Sequence, residues 1–117
     1  MRQSGPARRL LLRTSILERV SGTLADALTG GSDGERILQE LEETNAFVVS
    51  LDAARSWFRY HHLFADLLQL ELRRTAAGEV SALHRAATSW FAGHGHPVEA
   101  VRHAQAAQDW NLASRLL

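Results

Sequence analysis

The stretch Phe47-Val48-Val49-Ser50-Leu51-Asp52-Ala53-Ala54-Arg55-Ser56-Trp57-Phe58-Arg59-Tyr60-His61-His62-Leu63-Phe64-Ala65-Asp66-Leu67-Leu68 contains the change of hydrophobic period around which the chain is organised. Phe47, Val49 and Leu51 alternate with Val48, Ser50 and Asp52, and Trp57 to Tyr60 follow as a second aromatic run. A period of two with aromatic and β-branched residues predicts a hairpin, with strands near 47–51 and 57–60 joined by a polar Asp52 to Ser56 loop. From His62 the spacing returns to the helical one through Leu63, Phe64, Leu67, Leu68 and Leu72, until Thr75-Ala76-Ala77-Gly78 interrupts it.

Upstream of the hairpin the pattern is helical. Met1 to Ala7 has no period and carries Gly5 and Pro6, so it reads as a disordered lead-in, with the fold beginning near Arg8. Leu12, Ile16, Leu17 and Val20 fall on one helical face, and after a joint at Ser21-Gly22 a new stripe of Leu24, Ala25 and Leu28 runs to Gly30. Gly30-Gly31-Ser32-Asp33-Gly34 reads as a helix-to-helix turn, since Gly suits the left-handed position after a helix. Ser32 followed by Glu35 has the spacing of a capping box, and predicts a third helix from about Asp33 to Thr44 with Asn45 as a left-handed stop.

Three helices, a two-stranded wing and a further helix make a winged helix-turn-helix domain over residues 8–77. Beyond Gly78 the texture is Ala-rich: Val80, Leu83, Ala87, Trp90 and Phe91 share a face, Gly93-His94-Gly95-His96 breaks it, and Pro97 opens another helix with Val98, Val101 and Ala104. Trp110, Leu112, Ala113 and Leu116 begin one more. Short antiparallel helices with small Ala set against large aromatics predict the start of a TPR-like α-solenoid over residues 78–117. The fold class is therefore mainly α, and the chain reads as a middle piece of a larger signalling protein.

Composition removes several kinds of chemistry. Thirteen basic and thirteen acidic residues cancel, so no global field draws the chain to nucleic acid or anionic lipid. All the basic residues are Arg, and Cys is absent. Without Lys there is no phosphate loop of the G-x-x-x-x-G-K-[ST] kind and no Schiff base, and without Cys no thiolate nucleophile or thiolate zinc site. No apolar run approaches the ~20 residues of a membrane helix, and a reducing cytoplasmic setting is expected.

Leu11-Leu12-Arg13-Thr14-Ser15-Ile16-Leu17, Trp57-Phe58-Arg59-Tyr60-His61-His62-Leu63-Phe64-Ala65-Asp66-Leu67-Leu68 and Leu83-His84-Arg85-Ala86-Ala87 with Trp90 and Phe91 together resemble the MalT-like large ATP-binding transcription regulators of the LuxR type, a group within the STAND signal-transduction ATPases. The resemblance covers nearly all of the chain after Ala7 and implies a winged-helix segment followed by the first helices of an inducer-sensing superhelix. It implies a parent with an ATPase core, ATP or ADP with Mg as its cofactor, and a separate DNA-binding module, with no cofactor held by this chain alone. It places His61 where members of the class set a histidine against the diphosphate of bound ADP, with His62 standing where relatives often carry Asp and Arg59 close by. The implied partners are the neighbouring ATPase domain, further repeats of the same chain and an inducer on the superhelix.

Read from the residues alone, His61 serves equally as a cap or packing group where the wing meets the helix. Winged helices often read DNA through the third helix, but residues 33 to 45 carry Asp33, Glu35, Glu40, Glu42 and Glu43 against the single Arg36, so direct DNA binding is not expected. His94, His96 and His103 lack H-E-x-x-H spacing and read as polar residues of a helix junction. Trp57, Trp90, Phe91 and Trp110 read as core. The competing classes are a stand-alone DNA-binding winged helix and a helical-repeat scaffold, neither of them catalytic.

Overall fold

A computed structural model of the chain describes residues 5–107. The elements in order are α1 (Gly5–Thr14), β1 (Val20–Ser21), α2 (Gly22–Thr29), α3 (Gly34–Thr44), β2 (Val48–Ser50), β3 (Trp57–Tyr60), α4 (His62–Ala76), a 3-10 turn (Ala77–Glu79), α5 (Val80–Gly93) and α6 (Pro97–Ala106). This is a mainly helical winged helix followed by a helical hairpin. The helix expected from Trp110 to Leu116 lies outside the described residues.

The first helix departs from its expected limits at both ends. It starts at Gly5, and buried Ala7 joins the core, so the fold begins ahead of Arg8. It stops at Thr14, although Ile16, Leu17 and Val20 continue its apolar period. Thr14 Oγ1 donates to Leu10 O at 2.7 Å, Ser15 Oγ donates to Leu12 O at 2.7 Å, and Gln69 of α4 takes the Ser15 carbonyl at 2.9 Å. Hydroxyls that bond the preceding turn compete with the helical ladder, and Gln69 gives the Ser15 carbonyl a partner where the helix supplies none. Val20 is thereby released into a short strand.

That strand makes the wing three-stranded. The order is β1-β3-β2, with Val20 opposite Phe58, and Val48 and Ser50 opposite Tyr60 and Phe58, all antiparallel. The β2–β3 hairpin stands where the period of two placed it. Its loop is held by Asp52, whose carboxylate accepts from Ser56 N at 2.9 Å and Trp57 N at 3.0 Å, while Arg55 takes the left-handed conformation at φ 54°. Hydrogen bonds from the Ser56 side chain first, then from the Trp57 backbone, hold the Asp52 carboxyl below its ordinary range.

Two expected caps are replaced. Asp33, not Ser32, precedes α3, and its side chain caps nothing; the Gly34 N–H goes to Asp26 Oδ1 of α2 at 2.9 Å. Asn45 is extended (φ −136°, ψ 115°) and its Oδ1 accepts from Phe47 N at 2.9 Å, so it turns the chain into β2. The α2–α3 turn behaves as expected, with Gly30 left-handed at φ 77° and its N–H on Asp26 O.

Phe58, Leu24 and Leu38 have no exposed surface and form the centre of the core with Leu10, Leu28, Val20 and Val48. The same apolar cluster continues through Leu83, Ala87, Phe91 and Ala100, so the winged helix and the α5–α6 hairpin share one interior across position 77. The aromatics expected as core divide: Phe91 is buried, and Trp57 and Trp90 are half-buried and packed against it. Trp110 lies outside the described residues.

Candidate functional site

Strand β3 ends and α4 begins at one rigid corner. Tyr60, the last residue of the strand, is buried, and its hydroxyl bonds Thr14 Oγ1 at 2.6 Å, which ties the corner to the end of α1. Burial raises the Tyr60 phenol far above its ordinary pKa, so it stays neutral. His61 donates its backbone N–H to Phe47 O at 2.7 Å, extending the hairpin ladder by one step. Its φ of −53° and ψ of 137° then turn the chain into the helix.

The His61 side chain caps that helix. Nδ1 accepts from Leu63 N at 3.3 Å. An imidazole nitrogen accepts only when it carries no proton, so the capping tautomer has its hydrogen on Nε2. The ring is exposed, stacked on His62 with centroids 4.7 Å apart and set edge-on to Phe47 at 6.0 Å. A fixed N–H donor therefore stands free beside the first turn of α4, where unpaired backbone N–H groups and the helix dipole favour an anion.

Alternation along β3 puts Arg59 on the same face as His61, opposite buried Phe58 and Tyr60, and about 7 Å from it along the strand. His62 is the first residue of α4 and is also exposed. The three residues singled out in the sequence are thus grouped at one corner, with His61 and Arg59 sharing a face and His62 stacked beside them.

Around them lies apolar surface. Phe47 and Val49 of the β2 side are 43% and 40% exposed, with Leu51 next to them, and Leu63, Leu67 and Leu70 of α4 are each more than 60% exposed. Phe47 stacks on Phe64 at 5.4 Å and so joins the strand side to the helix. The helical period read from Leu63 to Leu72 is borne out by α4, and the structure divides its apolar residues: Leu63 and Leu67 face outward with Leu70, Phe64 and Leu68 are half-buried, and Leu72 is buried. The available signal was the number of apolar residues on α4, which exceeds what one helical face holds.

A second cluster ties the wing to the helical hairpin. Arg19 grips Glu99 of α6 through both carboxylate oxygens at 2.7 and 3.2 Å, and its guanidinium lies 4.1 Å above the Trp57 ring. The hydrogen bond from Arg19 holds the Glu99 carboxyl below its ordinary range. Trp57 meets Trp90 edge-on at 5.8 Å, and His96 lies parallel to Trp90 at 6.2 Å with Nδ1 3.3 Å from Arg19. Bidentate Arg–carboxylate pairing and a cation–π contact make this a directional joint between the β3 strand and α6.

The remaining histidines separate into two places. His94 stacks on Trp90 at 3.9 Å, while His103 is buried and pairs with His84 across α5 and α6. Among the described residues no three His, Cys, Asp or Glu side chains converge on a point where a metal could sit, and no helix is long and apolar enough to cross a membrane.

Residues 1–80 match the model of a family described as the MalT winged helix domain. The serine/threonine-protein kinase PknK of Mycobacterium tuberculosis is 43% identical over 102 residues, covering 87% of this chain and 9% of that protein. The HTH-type transcriptional regulator MalT of Serratia proteamaculans is 38% identical over 111 residues, and that of Yersinia pestis 37%, each match covering 95% of this chain and 12% of the relative. The chain spans about a tenth of the length of the curated relatives it matches.

Proposed function

Because the chain belongs to the MalT winged helix domain family, we propose that it is the coupling module of a larger ATP-dependent regulator, reporting the nucleotide state of a neighbouring ATPase domain to inducer-sensing helical repeats. The observation that carries this reading is the exposed Nε2–H of His61, oriented by its own Nδ1 cap on Leu63 N. The module has no Lys with which to build a phosphate loop. It would contribute a single donor to a diphosphate held elsewhere, with Arg59 and His62 as secondary contacts. The exposed Phe47, Leu63, Leu67 and Leu70 supply the apolar surface that a docked domain would cover.

In this reading the module does no chemistry. When the parent holds ADP with Mg, the winged helix closes on it; when the inducer acts on the superhelix, the Arg19–Glu99 and Trp57–Trp90 joint carries the bias to the wing. In a second reading, favoured by the similarity to PknK, the same module serves a kinase output instead of a transcriptional one, since neither the cap nor the joint depends on what lies beyond. The cytoplasm is the setting that both readings expect.

The test uses His61→Asp in the full-length parent. Asp caps a helix at least as well as histidine does, so a purely capping His61 predicts unchanged ADP retention and unchanged basal activity. A diphosphate contact predicts faster ADP release and higher inducer-independent activity, because a donor is replaced by a negative charge. The loss of one such hydrogen bond, roughly 0.5–3 kcal/mol, corresponds to a severalfold to about hundredfold change in ADP affinity. ADP dissociation measured by fluorescent nucleotide displacement, with His62→Ala as the smaller-effect control, separates the two.

Direct DNA reading by this module is not part of the proposal. Glu35, Glu40, Glu42 and Glu43 lie on α3, its one Arg36 is spent on Asp33 and Glu40, and Arg55 of the wing is spent on Glu42 and Glu43. The expected outcome is no sequence-specific footprint at physiological salt, and a protected operator would reverse that assignment.

A further inference from the structure

The hairpin of α5 and α6 is closed by a contact between two histidines that the proposed coupling role does not use. His84 Nδ1 and His103 Nδ1 are 2.9 Å apart, with ring centroids at 5.1 Å. His103 is buried and lies parallel to Phe91 at 5.6 Å, whereas His84 is half-buried. Two Nδ1 atoms at this separation need one proton between them: one ring donates and the other accepts. His84 is the ring that reaches water, so it can serve as donor and take an additional proton on Nε2 while the contact persists. A second added proton has to enter His103 at the accepting Nδ1, which places two N–H groups head to head.

We propose that the His84–His103 pair is a proton-sensitive joint of the α5–α6 hairpin, closed while the pair carries at most one positive charge and opened by the second. The charged groups around it come from each neighbouring segment. Arg73 of α4 bears on His84, and Arg102 of α6 bears on His103; both oppose protonation. Glu99 of α6 and Glu18 of the α1–β1 connection favour it at His103. The two carboxylates are engaged elsewhere, Glu99 with Arg19 and Glu18 with Arg102 at 2.8 Å, so they offset little of the burial. Burial first, then the neighbouring His84, pushes His103 down to about 4. An opened His103 binds its proton near the ordinary value of about 6.5. Acidification from about 6.5 to about 4 therefore favours the open form progressively, and the closed form is fully favoured above 6.5.

Two measurements on the whole chain test this. Ring-nitrogen NMR should find one Nδ1 of the pair protonated at neutral pH and His103 still neutral at pH 5.5. Amide exchange, corrected for its intrinsic pH dependence, should show the opening equilibrium of residues 97–106 rising on the order of a hundredfold between pH 6.5 and 4. His103→Phe, which keeps the stack on Phe91, should lose most of that rise, and His84→Gln, which keeps a hydrogen-bonding partner, should retain His103 as a low-pKa group. His103 titrating at its ordinary value in the wild type overturns the proposal even if neither variant folds. An equal rise in a folded His103→Phe variant overturns it too. Equimolar zinc at neutral pH that shifts both Nδ1 signals would make the pair a metal site instead.

Discussion

Replacing Phe58 by Ala is expected to destabilise the chain by about 3–5 kcal/mol, the range for truncating a fully buried phenylalanine. Phe58 has no exposed surface and sits on β3, the middle strand, with Val20 opposite on one side and Ser50 on the other. Its ring fills the space between the sheet and the helices, and the neighbouring backbone is held from both sides, so the cavity cannot collapse. A domain of this size has roughly 5–15 kcal/mol in all. The melting temperature should fall by about 15 °C or more. Phe58→Leu, which keeps most of the volume, should cost far less. Thermal and urea unfolding followed by circular dichroism measure both, and a loss below about 1 kcal/mol for the alanine variant would place the centre of the core elsewhere.

Gly34→Ala should destabilise the chain by about 3 kcal/mol, the upper end of the range for forcing extra atoms into a packed contact. A Cβ built on Gly34 would stand 2.5 Å from the carbonyl oxygen of Gly22, 2.8 Å from Asp26 Oδ1 and 3.1 Å from Ala25 Cβ. The nearest of these is backbone and cannot rotate away. Relief requires α2 and α3 to separate, which strains the Gly34 N–H to Asp26 bond and the packing of Leu24, Leu28 and Leu38. Gly22 meets the same crossing from the other side, with a Cβ there 2.6 Å from Glu35 Cβ and 2.7 Å from Glu35 N. Gly93→Ala, whose Cβ meets nothing within 4 Å, is the control and should be nearly neutral. The same unfolding experiments report the order of the three.

These two changes act on the scaffold, whereas the corner at His61 is supported by it. Phe58 and Tyr60 face inward from β3, and the alternation that buries them turns Arg59 and His61 outward. A register slip of one residue would exchange the two sets. The core is thus the reason that the exposed donor stands where it does.

Much of this was legible in the sequence because it depends on period and local chemistry. The alternation of Phe47 to Leu51 and the run from Trp57 to Tyr60 are sufficient for a hairpin, the spacing from Leu63 to Leu72 for a helix, and the excess of Glu over Arg for an acidic α3. Pro97 and Gly30 mark helix ends through their own backbone limits. His61 was visible as the residue between strand and helix, although its cap on Leu63 N and the resulting tautomer were not.

What tertiary structure decided are the places where distant residues compete for the same groups. Ile16, Leu17 and Val20 keep a helical period, but Gln69 takes the Ser15 carbonyl and β3 offers Val20 a ladder, so α1 ends and a third strand forms. Ser32 and Glu35 have the spacing of a capping box, but Asp26 already accepts the Gly34 N–H. Leu63, Leu67 and Leu70 make one apolar stripe of α4 and Phe64, Leu68 and Leu72 another, and only a packed partner determines which of the two is inward. The Arg19–Glu99 and His84–His103 contacts join residues 80 and 19 positions apart. Local propensity spans a few residues at a time, whereas these choices are settled by which hydrogen-bonding group or apolar surface lies nearest once the chain has folded back on itself.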